Sequence, residues 1–236
     1  MALDEWLLNQ HLLGLQPPTL RFYTWSPVAI SLGYHQRRYP EIWQQLSWNG
    51  EVIDLVRRPS GGRAVLHQGD LTYAVITSGI AGSRMQIYQT ICEFLIQGWR
   101  RLGVDLNYGL AGRGYIHNPD CFGTATGADL VMPNGMKLIG SAQLHRDGAV
   151  LQHGSIRLDP DPELFHRVFG TKLPQSVSLI ASSMNGLSQE QLIQAVIEAL
   201  VEAASQCFGV ELVTQPLTET EWQTALAQSG SFKVGW

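Results

Sequence analysis

Leucines at positions 3, 7, 8 and 12 recur at the period of one helix face, and Gly14 and Pro17 stop the pattern, so residues 2 to about 13 predict an amphipathic helix. A second apolar set, Tyr88, Ile91, Cys92, Leu95, Trp99 and Leu102, predicts a helix over 84–102 that Gly103 ends. A third helix begins at Ser188 as N-cap, with Gln191 three residues on. It runs through Leu192, Val196, Leu200 and Ala204 to Cys207 and Gly209. Short β-branched runs predict strands at 52–56, 64–66, 71–76, 104–108 and 210–213. A three-strand meander follows from two turn dipeptides: 128–132, Asn134-Gly135, 136–144, Asp147-Gly148, then 149–158. Counting back from the second turn places Gln143 opposite Gln152 and Ala142 opposite His153. Period-two alternation puts Lys137, Ile139, Ser141 and Gln143 on one face, with Leu138, Gly140, Ala142 and Leu144 on the other. Terminal helices around antiparallel strands predict an α+β fold, a mainly antiparallel sheet with helices packed on one side.

Composition narrows the function classes. With 236 residues, 44% apolar and only 15% charged, the chain predicts a globular fold of one large domain. The C-terminal ~50 residues carry the weakest pattern within it. A net charge of −4 excludes general nucleic-acid affinity, so any basic site is local. The start carries Asp4 and Glu5 and no basic segment, and no apolar run approaches the ~20 residues of a membrane span, which predicts a cytoplasmic protein away from the membrane. Cys92, Cys121 and Cys207 form no Cys-x-x-Cys pair and accompany no His-Glu-x-x-His, so no metal site is expected and the thiols are free. Cys92 and Cys207 read as core residues on inner helix faces. Cys121 lies instead in a loop of turn residues, 117–124.

The most distinctive stretch is Arg57-Arg58-Pro59-Ser60-Gly61-Gly62-Arg63-Ala64-Val65-Leu66-His67. Gly61 and Gly62 can take positive φ and let a ligand approach peptide N–H groups, while the arginines add fork-shaped donors for carboxylate or phosphate. The turn joins strands and has no Gly-Lys-Ser/Thr ahead of a helix, so it is not a P-loop. Taken alone, it also fits a hairpin turn with solvated arginines.

This segment resembles the motif of the lipoate–protein ligase and octanoyltransferase family, whose Arg-Arg-x-Thr/Ser-Gly-Gly-(Arg/Gly)-Ala-Val-x-His pattern lines an acyl pocket. Met1–Leu8, Pro17–Trp25 and Ser31-Leu32-Gly33-Tyr34 are similar to its N-terminal helix and first strands. Asp120-Cys121-Phe122, Lys137–Gln143 and Leu151–Ile156 are similar to its cysteine-dependent octanoyltransferase branch. The resemblance runs from residue 1 to about 170 and implies the catalytic-domain fold shared by biotin and lipoate ligases. It departs after Phe122, where Gly123-Thr124-Ala125-Thr126 and then Ala128 stand in place of Ser-Pro-Ser and a tyrosine.

The activity implied is transfer of an octanoyl group from acyl carrier protein, through a thioester on Cys121, to a lysine of a lipoyl domain: glycine-cleavage H protein or a dehydrogenase E2. Exchanging one thioester for another is nearly neutral and thioester to amide is downhill, so neither ATP nor another cofactor is expected. A thiol with pKa ~8.5 is only a few per cent thiolate at pH 7, and Lys137 is the candidate cation to favour its ionisation. Deprotonating the incoming lysine costs ~4.6 kcal/mol at pH 7, and the departing thiolate or Lys137 are the acceptors considered. The resemblance assigns the acyl pocket to Arg58, Ser60, Gly61, Gly62, Arg63 and Ala64, with His67, His153 and Gly154 at or beside it. Backbone N–H groups around Gly61-Gly62 and Gly140-Ser141-Ala142, with Gln143 next to them, are the candidate oxyanion donors. Small residues Gly62, Ala64 and Ala142 leave room for an acyl tunnel whose end is not readable. Neither histidine has an acidic orienter in a readable motif, so neither is assigned as a triad base. The competing activity is an ATP- and Mg-dependent lipoate–protein ligase, in which Lys137 and residues 58–64 bind an acyl-adenylate and Cys121 is passive. A catalytically silent paralogue that binds acyl groups is a non-enzymatic reading.

Overall fold

The computed structural model describes residues 1–109, 127, 129–173, 186–227 and 229–234. Its strands are β1 (Thr19–Tyr23), β2 (Ala29–Leu32), β3 (Ser47–Trp48), β4 (Glu51–Val52), β5 (Asp54–Arg57), β6 (Val65–His67), β7 (Asp70–Ser78), β8 (Asn107–Tyr108), β9 (Asp129–Val131), β10 (Lys137–Arg146) and β11 (Ala149–Arg157). A six-stranded antiparallel sheet has the order β1-β7-β11-β10-β9-β8, and β5-β2-β6 form a second, smaller sheet. The helices are α1 (Ala2–Leu12), α2 (Arg84–Arg101), α3 (Pro162–Phe169), α4 (Gln189–Phe208) and α5 (Glu219–Ala227).

The capping signals correspond to observed helix ends. Ser188 and Gln191 close a reciprocal capping box at the start of α4, Ser83 and Gln86 another at α2, and Gly209 ends α4 in the left-handed conformation. The meander has the expected register, with Gln143 opposite Gln152 and Ala142 opposite His153. Asp147 and Gly148 both take positive φ, 47° and 83°, as a two-residue turn that suits strand twist requires. A register shift between Lys137 and Ile139 breaks the strict alternation at the head of β10, and Leu138 and Ile139 both enter the core.

Helices cover both faces of the large sheet, which corrects the one-sided arrangement. Tyr73 and Val75 of β7 face the core beneath α2 and α4, while the alternate residues Ala74 and Ile76 meet Leu3, Trp6, Leu7 and Leu8 of α1. Expected strand 52–56 is split at Ile53, which points into the second core, and strand 104–108 shrinks to its last two residues. Residues 210–213 form no strand: Val210, Leu212 and Val213 are exposed with no partner strand among the described residues. α3 and α5 are additional helices. α3 buries Leu164, Phe165 and Val168 against the β5-β2-β6 sheet, while Ala225 and Leu217 bring the C-terminal part back onto α1. Lys233 bridges to Val56, and Val234 N–H donates to Leu55 at 3.0 Å.

Candidate active site

The basic two-glycine turn leaves β5 and enters β6, and these two strands flank β2 without pairing with each other. The turn therefore crosses over the end of β2. Arg58 is buried and donates five hydrogen bonds into this crossing: Nε and Nη2 to Gly61 O, Nη2 to Arg63 O, and Nη1 to Ser31 O and Ser31 Oγ, at 2.7–3.2 Å. One bond for each guanidinium N–H means that the fork shapes the turn. Arg57 likewise donates to Gly33 O and Gln36 O at 2.9 and 2.6 Å, tying down the segment after β2.

Gly62 has φ +98°, and a Cβ there would lie 2.7 Å from Arg58 Nη2. A Cβ on Gly33 would lie only 1.8 Å from Gly62 O, so the two loops touch through bare backbone. Gly62→Ala is expected to destabilise the protein by about 1–3 kcal/mol through backbone strain. The expected result is a lower Tm as the turn is displaced.

A cavity of about 240 Å³ lies between this turn and the large sheet. The turn contributes Arg58, Gly61 and Gly62; β10 contributes Lys137, Gly140, Ser141, Ala142 and Gln143; β11 contributes His153 and Gly154. His67 lines it from β6. Ser60 instead borders an adjoining open groove that shares Arg58, Gly61 and Gln143 with the cavity. Ala64 packs away into the second core with Leu66 and Phe165, so it does not widen the cavity. Arg63 takes part through its carbonyl, which accepts from Arg58. Gly154 is required by contact: a Cβ would sit 2.6 Å from both Ser141 Oγ and Tyr73 Cε1.

Lys137 and Asp129 form an ion pair at 2.8 Å, with side chains only 3% and 5% exposed. Asp129 is the chief residue that the sequence reading overlooked. The available signal was an acidic residue at the head of a buried strand, Asp129-Leu130-Val131. Its carbonyl also accepts from Gly109 N–H at 2.8 Å, so the residues on either side of 110–128 are joined. Cys121 and Ala128 lie outside the described residues.

Both histidines have acidic neighbours, His67 one three residues on and His153 one far away in the sequence. His67 Nδ1 faces Asp70 Oδ2 at 2.9 Å and its Nε2 faces Ser31 Oγ at 2.8 Å, with Trp25 stacked on the ring. His153 Nε2 meets Ser60 Oγ at 2.5 Å, and its Nδ1 lies 3.6 Å from Asp4 Oδ2. Asp4 is fully buried and is also bound by Arg21 and by Tyr23 OH. Burial opposes the charge of Asp4, yet the amino-terminal ammonium, His153 and Arg21 hold its carboxyl well below the usual carboxylate range. Burial pushes His153 below its ordinary value of 6.5, against the pull of Asp4 and with help from Arg58.

The His153 shift makes stability depend on pH. The native protein binds this proton less readily than the unfolded chain, so the contribution is complete above pH 6.5 and is lost as pH falls through the lower folded value. Tm is expected to fall as pH drops below about 6.5, with a shallower fall in His153→Gln. Equal slopes for the two proteins would contradict this.

On the opposite face of the sheet a buried polar chain supports the cavity wall. Gln143 Nε2 donates to Gln152 Oε1 at 2.8 Å, Gln152 Nε2 to Tyr73 OH at 2.9 Å, and Tyr73 OH pairs with Ser141 Oγ at 2.7 Å. Gln152 Nε2 also reaches Cys92 Sγ at 3.2 Å. Cys92 is a core thiol, as expected, and burial pushes it up to about 11, which makes it unreactive. Cys207 is exposed at the end of α4 and is not a core residue.

Comparisons with known proteins agree with this geometry. Residues 1–205 match the lipoyl protein ligase A/B catalytic domain. The octanoyltransferase LipM of Kyrpidia tusciae is 38% identical over 95% of this chain and 88% of its own length. That of Halalkalibacterium halodurans is 39% identical over 94% and 86% respectively. Among solved structures, lipoate-protein ligase A bound with ATP superposes with a TM-score of 0.74 at 25% identity, covering 96% of this chain and 87% of that one. The bi-partite lipoate protein ligase from Thermoplasma acidophilum, solved in a study of it and its E2 lipoyl domain, gives 0.65 at 22% identity, covering 96% and 86%, a likeness of fold. By its glycine turn, its antiparallel sheet and its match over residues 1–205, the chain belongs to the lipoyl protein ligase A/B catalytic domain family.

Proposed function

We propose that this chain is an octanoyltransferase of lipoate biosynthesis that acts through a thioester on Cys121. The observation that carries this reading is likeness to octanoyltransferases over 94–95% of the chain, a span that takes in the glycine turn, Cys121 and Lys137 together. The Cys121 thiolate attacks the carbonyl carbon of an octanoyl thioester on acyl carrier protein; the S–acyl bond to the carrier breaks and the carrier thiol leaves. The ε-amine of a lysine on a lipoyl domain then attacks the octanoyl-enzyme. The Cys121 sulfur leaves as an amide forms, and the ammonium proton passes to the departing thiolate or to a basic group of the site. Lys137, paired with Asp129 in the cavity wall, supplies positive charge for the thiolate and for the oxyanion at each tetrahedral stage. Peptide N–H groups of the Gly61-Gly62 turn and of β10 are the accompanying oxyanion donors.

A lipoyl-domain protein is the acceptor class that both kinds of relative support; acyl carrier protein as donor, and H protein or E2 as the particular acceptor, belong to this proposal. The cavity, about 240 Å³, is of a size for a short acyl chain and adjoins an open groove that shares Arg58, Gly61 and Gln143 with it. Neither ATP nor a metal is required by this chemistry. The fold likeness to a ligase bound with ATP favours the second reading, adenylation of a free acid. Incubation with octanoyl–acyl carrier protein and an unmodified lipoyl domain separates the two. Octanoylation without ATP supports the transferase; modification that requires ATP and free octanoate supports the ligase.

A further inference from the structure

Four residues form a straight row across one face of the large sheet. Asp129 opposes Gly140, Gly140 opposes Ser155, and Ser155 opposes Thr72. Residues directly opposed in antiparallel strands point to the same side, and all four line the cavity. The row crosses three strand spacings of ~4.8 Å, about 14 Å from the backbone of β9 to that of β7.

Its two ends differ in chemistry. At the β9 end Asp129 meets Lys137. At the β7 end Asp70 Oδ2 accepts from Ser155 Oγ at 2.7 Å, His67 Nδ1 at 2.9 Å and Thr72 Oγ1 at 3.3 Å. Trp25 Nε1 donates to Thr72 Oγ1 at 2.9 Å, and the Trp25 ring stacks on His67 with centroids 4.1 Å apart. Because Nδ1 of His67 faces a carboxylate, Nε2 accepts from Ser31 Oγ. Ser31, His67, Asp70, Thr72 and Ser155 are all buried. An alkyl chain entering this knot would separate hydrogen-bonded groups and leave them unsatisfied away from water, so the knot is a stop even though its atoms are polar.

We propose that this knot is the blind end of the acyl cavity and that Thr72, with Ser155 one strand nearer Lys137, sets the chain length the protein accepts. The inference rests on the acyl-transfer reading, in that the reacting carbonyl lies at the Lys137 end of the row. Carbon–carbon bonds of ~1.5 Å advance about 1.3 Å each in a zigzag, so the seven of an octanoyl group reach about 9 Å beyond the carbonyl carbon. Allowing for the side chains at both ends, the row accommodates that length. Two further methylenes would press on Thr72.

The test is the ratio of decanoyl to octanoyl transfer. Thr72→Ala removes a methyl and a hydroxyl at the blind end. At about fourfold per methylene newly housed, it is expected to raise this ratio roughly tenfold or more over wild type. Thr72→Val, which keeps the bulk, is expected to hold the ratio within about threefold of wild type, less than one housed methylene. If Thr72→Ala fails to fold, Ser155→Val probes the same row from the other direction, with preference expected to move to hexanoyl. A Thr72→Ala ratio like that of wild type, or equal rises in the alanine and valine variants, would overturn the proposal. Calorimetric binding of octanoate and decanoate gives the same ratio without turnover. A wild type that transfers nothing without ATP would therefore count against the proposed reaction, while the binding ratio still judges the chain-length stop.

Discussion

Cys121→Ala is expected to reduce octanoyl transfer by at least about 10³-fold, because removing the nucleophile of a covalent mechanism leaves only binding and oxyanion stabilisation. The fold should be unchanged, with Tm within a few degrees of wild type, since Cys121 stands in a run of turn residues with no apolar periodicity. Rates of lipoyl-domain octanoylation measured beside circular dichroism check both halves. Full activity in Cys121→Ala would favour the adenylating ligase, in which this sulfur has no role.

The second large effect lies in the ion pair that the thiolate is proposed to use. Lys137 and Asp129 are 3% and 5% exposed, so removing either one takes a close ion-pair contact away from a buried charge. Asp129→Ala is expected to cost about 3–5 kcal/mol. For a chain of this size, that is roughly a 10 °C fall in Tm. Lys137→Met should slow both half-reactions by about 10²–10⁴-fold, the range for losing a positioned proton-transfer or charge-stabilising group. The double variant Lys137→Met/Asp129→Leu separates the two roles. Replacing both charges by apolar groups of similar volume is expected to recover most of the stability, while activity stays low. Recovery of transfer along with stability would mean that the pair serves the fold alone.

Much of the frame was legible because local chemistry and tertiary structure agree there. The α2 and α4 stripes are long and bounded by caps, and the Asp147-Gly148 turn dictates the pairing of β10 with β11 down to Gln143 opposite Gln152. α3 was missed although Asp161 caps it and Pro162 opens it; its eight residues are too few for periodicity to stand out. The run Val210–Val213 has the composition of a strand but no neighbouring edge to pair with among the described residues, and β propensity without a partner does not make a strand.

At the site, the glycine turn and Lys137 were recognisable, since backbone freedom is a local property. Strand alternation grouped Ser141 and Gln143 with Lys137, but the register shift after Lys137 turns them to the opposite face, into the chain with Gln152 and Tyr73. What the side chains do was not recognisable. Arg58 suggested an anion-binding fork, and the structure directs its five N–H groups at the carbonyls and hydroxyl of neighbouring segments. The acidic partners Asp4, Asp70 and Asp129 come from elements whose packing brings them to His153, His67 and Lys137. Only for Asp70, three residues from His67, was the pairing within local reach. Cys207 obeyed the helical period, yet the final turn of α4 extends past the core.

The central claim is that the acyl group passes through Cys121, and intact-protein mass spectrometry tests it most directly. Wild type and Cys121→Ala are mixed with octanoyl–acyl carrier protein in the absence of ATP. The account predicts an octanoyl adduct on wild type alone, removed by hydroxylamine as a thioester is. An adduct on Cys121→Ala as well, or none on a wild type that then octanoylates a lipoyl domain only when ATP and free octanoate are added, would contradict it.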